Sequence, residues 1–269
     1  MLAGLAPARR RVVLVLLSAV AVAVVALAVV LLLPGAHGRG GRPVSQEKPG
    51  PVLLVPGYGG STQSLQSLAD RLTAAGRDAT VVALPGTGTG DLRASADALG
   101  TAATAVLHRT GAQSVDVVGY SAGGLVARLW VADGGGDVVR RVVTLGSPHH
   151  GTSLADLAGT VAPEQCPEGC RQMTTDSELL AQLNAGDETP DGPTWISIWT
   201  TQDETVTPPD SARLDGALNM TVQSVCADDR VGHGGLPQDP LVQAMVVTEL
   251  GAGDPVRLTS ADCARLGGS

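Results

Sequence analysis

The chain has 269 residues, room for one large α/β domain or two small ones. Its net charge of −8 at pH 7 excludes the basic footprint that nucleic-acid binding needs. Aromatic residues are only 2% of the chain, with no Phe, which argues against a surface that stacks bases or sugars.

Residues 12–33 form an apolar run broken only by Ser18. As a helix the run would be about 33 Å long, enough for a hydrocarbon core of about 30 Å. Arg9, Arg10 and Arg11 precede it and favour a cytoplasmic N-terminus. A cleaved signal has a shorter apolar region and a small-residue cleavage site, and Pro34-Gly35-Ala36-His37 matches that site poorly. Residues 1–33 are therefore expected to be a signal anchor holding the protein to the membrane, with a cleaved signal peptide as the alternative. Either one exports everything after Leu33. Residues 34–50 are rich in Gly, Pro, Arg and Lys and read as a flexible stalk. The domain proper is expected at 51–269. The exported part holds all 26 acidic residues and 15 of the 18 basic ones, so its surface repels anionic headgroups.

A short apolar strand at 51–55 runs into Pro56-Gly57-Tyr58-Gly59-Gly60. Ser61 is placed to cap a helix whose apolar positions are Leu65, Leu68, Ala69 and Leu72. A second strand is expected at 78–84 and a second helix at 91–109. The β-branched run 114–119 reads as a third strand, and 123–131 as an apolar helix. Between them lies Gly119-Tyr120-Ser121-Ala122-Gly123. A serine on so sharp a strand-to-helix turn projects its hydroxyl clear of the sheet, and the glycines let the backbone pass without a Cβ clash. The next amide, of Ala122, falls at a helix N-terminus, where it can hold a developing oxyanion.

A fourth strand is expected at 138–145. Residues 149–193 then break the rhythm, with two short helical patterns near 154–161 and 177–183. This stretch follows a strand, on the edge where such sheets bind ligands, and is read as a cap or lid insertion. Strands resume at 194–200 and 219–225, and a last helix is expected at 239–250. Strands alternating with helices imply a mostly parallel sheet covered on both faces.

The four cysteines, Cys166, Cys170, Cys226 and Cys263, all lie in the exported part. An even count in an oxidising compartment predicts two disulfides. Three pairings exist. The expected one closes a small loop from Cys166 to Cys170 and pins the tail at Cys263 to Cys226. No metal site is expected, because the C-x3-C spacing lacks nearby histidine ligands.

A serine hydroxyl needs a base, and the base needs an acid to orient it. Of the five histidines, only His233 follows both the Ser121 turn and an acid at a strand end. It sits in the loop Val231-Gly232-His233-Gly234-Gly235. His37 falls in the stalk, and His108 on a helix face. Asp203, at the end of the 194–200 strand, is the expected acid. Its neighbour Glu204 is the main competitor, and Asp228 and Asp229 lie near His233 in sequence.

These residues resemble those of secreted bacterial triacylglycerol lipases and esterases of the α/β-hydrolase superfamily, close to the small actinobacterial and Bacillus-type enzymes. The likeness runs from about 51 to 250. It rests on Pro-Gly-Tyr-Gly-Gly at 56–60, Gly-Tyr-Ser-Ala-Gly at 119–123, Gly-Ser-Pro-His-His-Gly-Thr at 146–152, Asp203 before Val206 and Pro208, and Gly-His-Gly at 232–234. Pro56 departs from it, standing where many such lipases have His. The resemblance implies an α/β-hydrolase fold and a catalytic set of Ser121, Asp203 and His233. It also implies an oxyanion hole from the Tyr58 and Ala122 amides, and a structural 146–152 motif at the pocket floor, with substrate contact by His149 or His150 as the alternative. The expected activity is cofactor-free hydrolysis of a small-molecule or lipid ester by a monomer. Thioesterase, acyltransferase or peptidase activity uses the same triad. A dead hydrolase scaffold that only binds is the alternative from another class; such scaffolds usually lose the serine, the histidine or an oxyanion loop, and this chain keeps all three.

Overall fold

The computed structural model describes residues 44–267. The expected anchor at 1–33 and the first part of the expected stalk lie outside the described residues. Among the described residues, no helix is long and apolar enough to cross a membrane.

In chain order the elements are β1 (Val52–Val55), α1 (Gln66–Ala74), β2 (Ala79–Val81), α2 (Leu92–Thr110), β3 (Val115–Tyr120), α3 (Ala122–Ala132), β4 (Val139–Leu145), α4 (Ser153–Val161), α5 (Glu168–Arg171), α6 (Glu178–Leu183), β5 (Thr194–Trp199), β6 (Leu218–Thr221), α7 (Val222–Val225) and α8 (Pro240–Glu249). The strands form one six-stranded sheet in the order β2-β1-β3-β4-β5-β6, and every neighbouring pair is parallel. Order reverses at β1, so β1 and β3 flank the point where ligands bind in sheets of this kind.

Alternation along the strands divides the core. Val52, Leu54, Val118, Val143, Ile196 and Ile198 point to the face packed by Leu68 and Leu72 of α1 and Leu241, Val242, Met245 and Val246 of α8. Leu53, Val55, Val117 and Val142 point the other way, against Leu99 and Val106 of α2 and Leu125, Val126 and Leu129 of α3. The β-branched, apolar runs are therefore buried on both faces, as a parallel sheet requires.

Two expectations need correction. The strand expected at 219–225 ends at Thr221, whose hydroxyl accepts from the Ser224 amide at 3.0 Å and caps the helical turn α7. This local side-chain bond offers the backbone an alternative to the ladder. The second strand is three residues long rather than seven.

The lower edge of the sheet carries a buried ionic cluster. Asp116 is fully buried and accepts from Arg140 at 2.6 and 2.8 Å and from Arg77 at 2.5 Å. Arg140 also donates to the carbonyls of Gln46, Leu250 and Gly251. The entering chain at 44–50 and the chain leaving α8 are thus held to one strand.

Both expected disulfides are present, Cys166–Cys170 and Cys226–Cys263. The second joins α7 to the tail, where Leu258 and Leu266 complete one face of the core. Its closure of a 37-residue separation is expected to stabilise the domain by roughly 4 kcal/mol in the chain-entropy model, against roughly 2 kcal/mol for the four-residue separation of the first. Paired Cys→Ser variants measured by urea denaturation check this ordering. An equal or larger loss at Cys166–Cys170 would contradict it.

Candidate active site

β3 delivers Ser121 to the upper edge of the sheet, and α3 starts one residue later. Ser121 has φ 53° and ψ −126°, the only positive φ of a non-glycine residue among the described residues. Such a conformation is strained and persists only where the surroundings enforce it. Here the Ser121 amide donates to the Leu145 carbonyl at 2.8 Å, which ties the turn to β4. The flanking glycines are a steric requirement. A Cβ at Gly119 would lie 2.6 Å from the Gly123 carbonyl oxygen, and one at Gly123 would lie 2.2 Å from that of Val55.

The structure brings His233 and Asp203 to this serine. His233 Nε2 lies 3.0 Å from Ser121 Oγ, and Nδ1 lies 2.8 Å from Asp203 Oδ2. The other carboxylate oxygen accepts from the amides of Thr205 at 2.9 Å and Val206 at 2.7 Å, which fixes the carboxylate plane. Asp203 and His233 are both buried, whereas Glu204 is exposed. Asp229 turns to the Val231 amide, and Asp228 pairs loosely with Arg230 at the surface. None of these three carboxylates reaches the imidazole. Gly146 is a further requirement that the sequence did not reveal. It has φ 55°, and a Cβ there would lie 3.2 Å from His233 Nδ1 and 3.3 Å from Asp203 Oδ2.

The loop 56–60 closes against the serine from the β1 side. A Cβ on Gly57 would lie 3.0 Å from Ser121 Cβ. Ala122 is the first residue of α3, so its amide has no acceptor within the helix. The Tyr58 amide has no backbone acceptor among the described residues. Above Ser121 opens a cavity of about 250 Å³. Tyr58, Pro148, Val206, and Leu154, Ala155 and Ala158 of α4 line it, with Cys170, Met173 and Gln165 beyond, and no charged side chain takes part. Among the described residues a larger hollow, of about 690 Å³ beside Trp130, is lined by neither serine nor histidine.

Residues 98–239 match the family model described as Lipase (class 2), which is more than half of the chain. The chain belongs to the class 2 lipase family. The matched segment contains Ser121, Asp203 and His233, and Tyr58 lies before it. Among solved structures the chain is similar to lipase B of Aspergillus fumigatus, with a TM-score of 0.69 and 24% identity over 84% of this chain. The chain spans 58% of that protein's length. It is also similar to Bacillus licheniformis lipase BlEst2 in its mature form, with a TM-score of 0.59 and 20% identity over 74% of this chain and 91% of that one. At these identities the likeness establishes the α/β-hydrolase fold.

In this member of the class 2 lipase family the two adjacent histidines stand apart from the groove. His149 is fully enclosed, with Nε2 3.1 Å from Thr144 Oγ1, and burial together with the nearby Arg128 holds its pKa well below the ordinary value. Its backbone carbonyl accepts from the Asn184 side chain of the insertion at 3.0 Å. His150 faces outward, its ring bonded to the Ser211 carbonyl at 3.2 Å and to the Glu188 carboxylate at 2.8 Å. Neither is among the side chains that line the cavity. Arg128 of α3 reaches the insertion, donating to the carbonyls of Leu183 at 3.0 Å and Glu188 at 3.1 Å.

Proposed function

We propose that the chain is a serine carboxylester hydrolase acting on uncharged, lipid-type acyl esters. The observation that carries this reading is the unbroken contact Ser121–His233–Asp203 beneath an apolar, uncharged groove. Ser121 attacks the acyl carbonyl while His233 Nε2 takes its proton, and Asp203 holds the ring in the correct tautomer and stabilises the imidazolium. The Tyr58 and Ala122 amides receive the oxyanion. The imidazolium then protonates the leaving alcohol, and water repeats the sequence on the acyl-enzyme. No cofactor enters these steps. The disulfides support an oxidising, extracytoplasmic compartment, with residues 1–33 as tether or cleaved leader.

A fluorophosphonate probe and a panel of p-nitrophenyl esters and emulsified triglycerides test the reading. Stoichiometric labelling with turnover of neutral esters is expected. A chain that neither labels nor turns over would instead be a binding protein on this scaffold.

The segment 149–193 acts in this reading as a cap. Ala155 and Ala158 of α4 face the cavity, while Leu157 and Val161 are 59% and 73% exposed beside it. Such a helix presents apolar surface at the mouth of the groove. Activity on a triglyceride is therefore expected to step upward as substrate passes its solubility limit. A smooth saturation curve through that limit would make the segment a fixed wall.

A further inference from the structure

The residue before the serine, Tyr120, is half-buried. Its ring lies 5.3 Å from the His233 ring, centroid to centroid, with the planes tilted by 33°. Its hydroxyl donates to the His233 backbone carbonyl at 3.2 Å. Tyr120 and His233 are 113 residues apart, so two separate contacts join the elbow directly to the loop that carries the base. We propose that Tyr120 is the positioning residue for His233: its hydroxyl fixes the base's loop, and its ring face stabilises the imidazolium that forms as Ser121 gives up its proton. This rests on the serine-hydrolase reading above.

The ring is within the range of an aromatic pair while His233 is neutral. Once the ring is protonated, the same contact becomes a cation on a π face, within the ~6 Å over which that attraction acts. An interaction that strengthens only as charge develops lowers the barrier rather than the ground state. Burial and the Asp203 charge push the Tyr120 phenol up to about 12, so it stays a neutral donor throughout. The titratable groups facing the imidazole are Asp203 at Nδ1, Ser121 at Nε2 and Tyr120 beside the ring. Gly146, which brings no charge, lies so close that a Cβ on it would stand 3.2 Å from Nδ1.

The test needs no knowledge of the substrate. In fluorophosphonate labelling Ser121 Oγ bonds to phosphorus, the P–F bond breaks with its electron pair leaving on fluoride, and the serine proton passes to His233 Nε2. The pH profile of the labelling rate therefore reads the base. Y120F keeps the ring and loses only the hydroxyl; its rate is expected to fall about threefold, the loss of one neutral hydrogen bond, with the pH profile in place. Y120L removes the ring face. Its limiting rate is expected to fall roughly tenfold and its apparent pKa to fall by about one unit, since both report the same lost stabilisation of the imidazolium. Y120M replaces it if thermal melting shows that the leucine variant does not fold. A ring-less variant whose profile superimposes on that of Y120F would overturn the proposal. So would a loss confined to probe affinity, which would make Tyr120 part of the groove wall. NMR titration of the His233 ring in the same variants reads the pKa shift without any chemistry. If the parent fails to label, the hydrolase reading falls, while the NMR shift still decides the role of Tyr120.

Discussion

Ser121→Ala is expected to lower turnover by roughly 10⁶-fold, the loss seen when a nucleophile is removed from a triad that acts as a unit. The effect is chemical rather than conformational. Ser121 sits at φ 53°, and alanine meets the same Cβ strain there as serine. The turn is enforced by the Leu145 carbonyl and by glycine contacts at 119 and 123, none of which involve the hydroxyl. The variant should therefore melt close to the parent while the groove, the amides of Tyr58 and Ala122, and the His233–Asp203 pair remain. Residual activity would come from those amides and from binding alone. Fluorophosphonate labelling should vanish with turnover. Labelling that survives in Ser121→Ala would assign the nucleophile elsewhere and remove the basis of the mechanism.

Much of the fold was legible because its signals are local. The runs at 52–55, 115–120, 139–145 and 194–199 are rich in apolar and β-branched residues, which is what strands buried on both faces need. The Ser121 turn was legible because its glycines answer to backbone contacts made within the turn and the adjacent strand. What stayed hidden depends on partners far along the chain. Arg140 and Arg141 look like exposed positions of a strand, yet both are buried, because Asp116, Gln46 and the carbonyls after α8 converge on them. Gly146 reads as an ordinary turn glycine until His233 and Asp203 are packed against it. The surroundings of the paired histidines at 149 and 150 were equally hidden, since Thr144, Ser211 and Glu188 hold their rings from other parts of the chain. Within the insertion, the apolar spacing at 153–161 was visible, but the side of α4 that faces Ser121 was not. That side follows from the tie of Thr152 and Ser153 to the carbonyls of Thr205 and Thr207, on the loop that also carries Asp203.

That loop also decides which acidic residue matters. Asp203→Asn is expected to cost roughly 10⁴-fold in turnover, severe yet milder than loss of the serine. The Asp203 carboxylate is held by two amides on one oxygen and presents the other to His233 Nδ1 at 2.8 Å. An asparagine amide in the same place would keep the shape and lose the charge. It would offer either a weaker acceptor or an NH₂ group to Nδ1, the latter favouring the wrong tautomer, with the proton on the nitrogen that must accept from Ser121. Asp203 closes a local turn onto the amides of Thr205 and Val206, and Glu204 lies exposed on the bend. Glu204 accordingly faces solvent, and Glu204→Gln should remain within about tenfold of the parent, an energy of about 1.4 kcal/mol or less. The two variants should be compared at matched folding, with Cys226–Cys263 oxidised in both. Should the glutamine variant be the inactive one, the imidazole would have to be oriented by a carboxylate that this geometry turns toward solvent, and the assignment of Asp203 would be wrong.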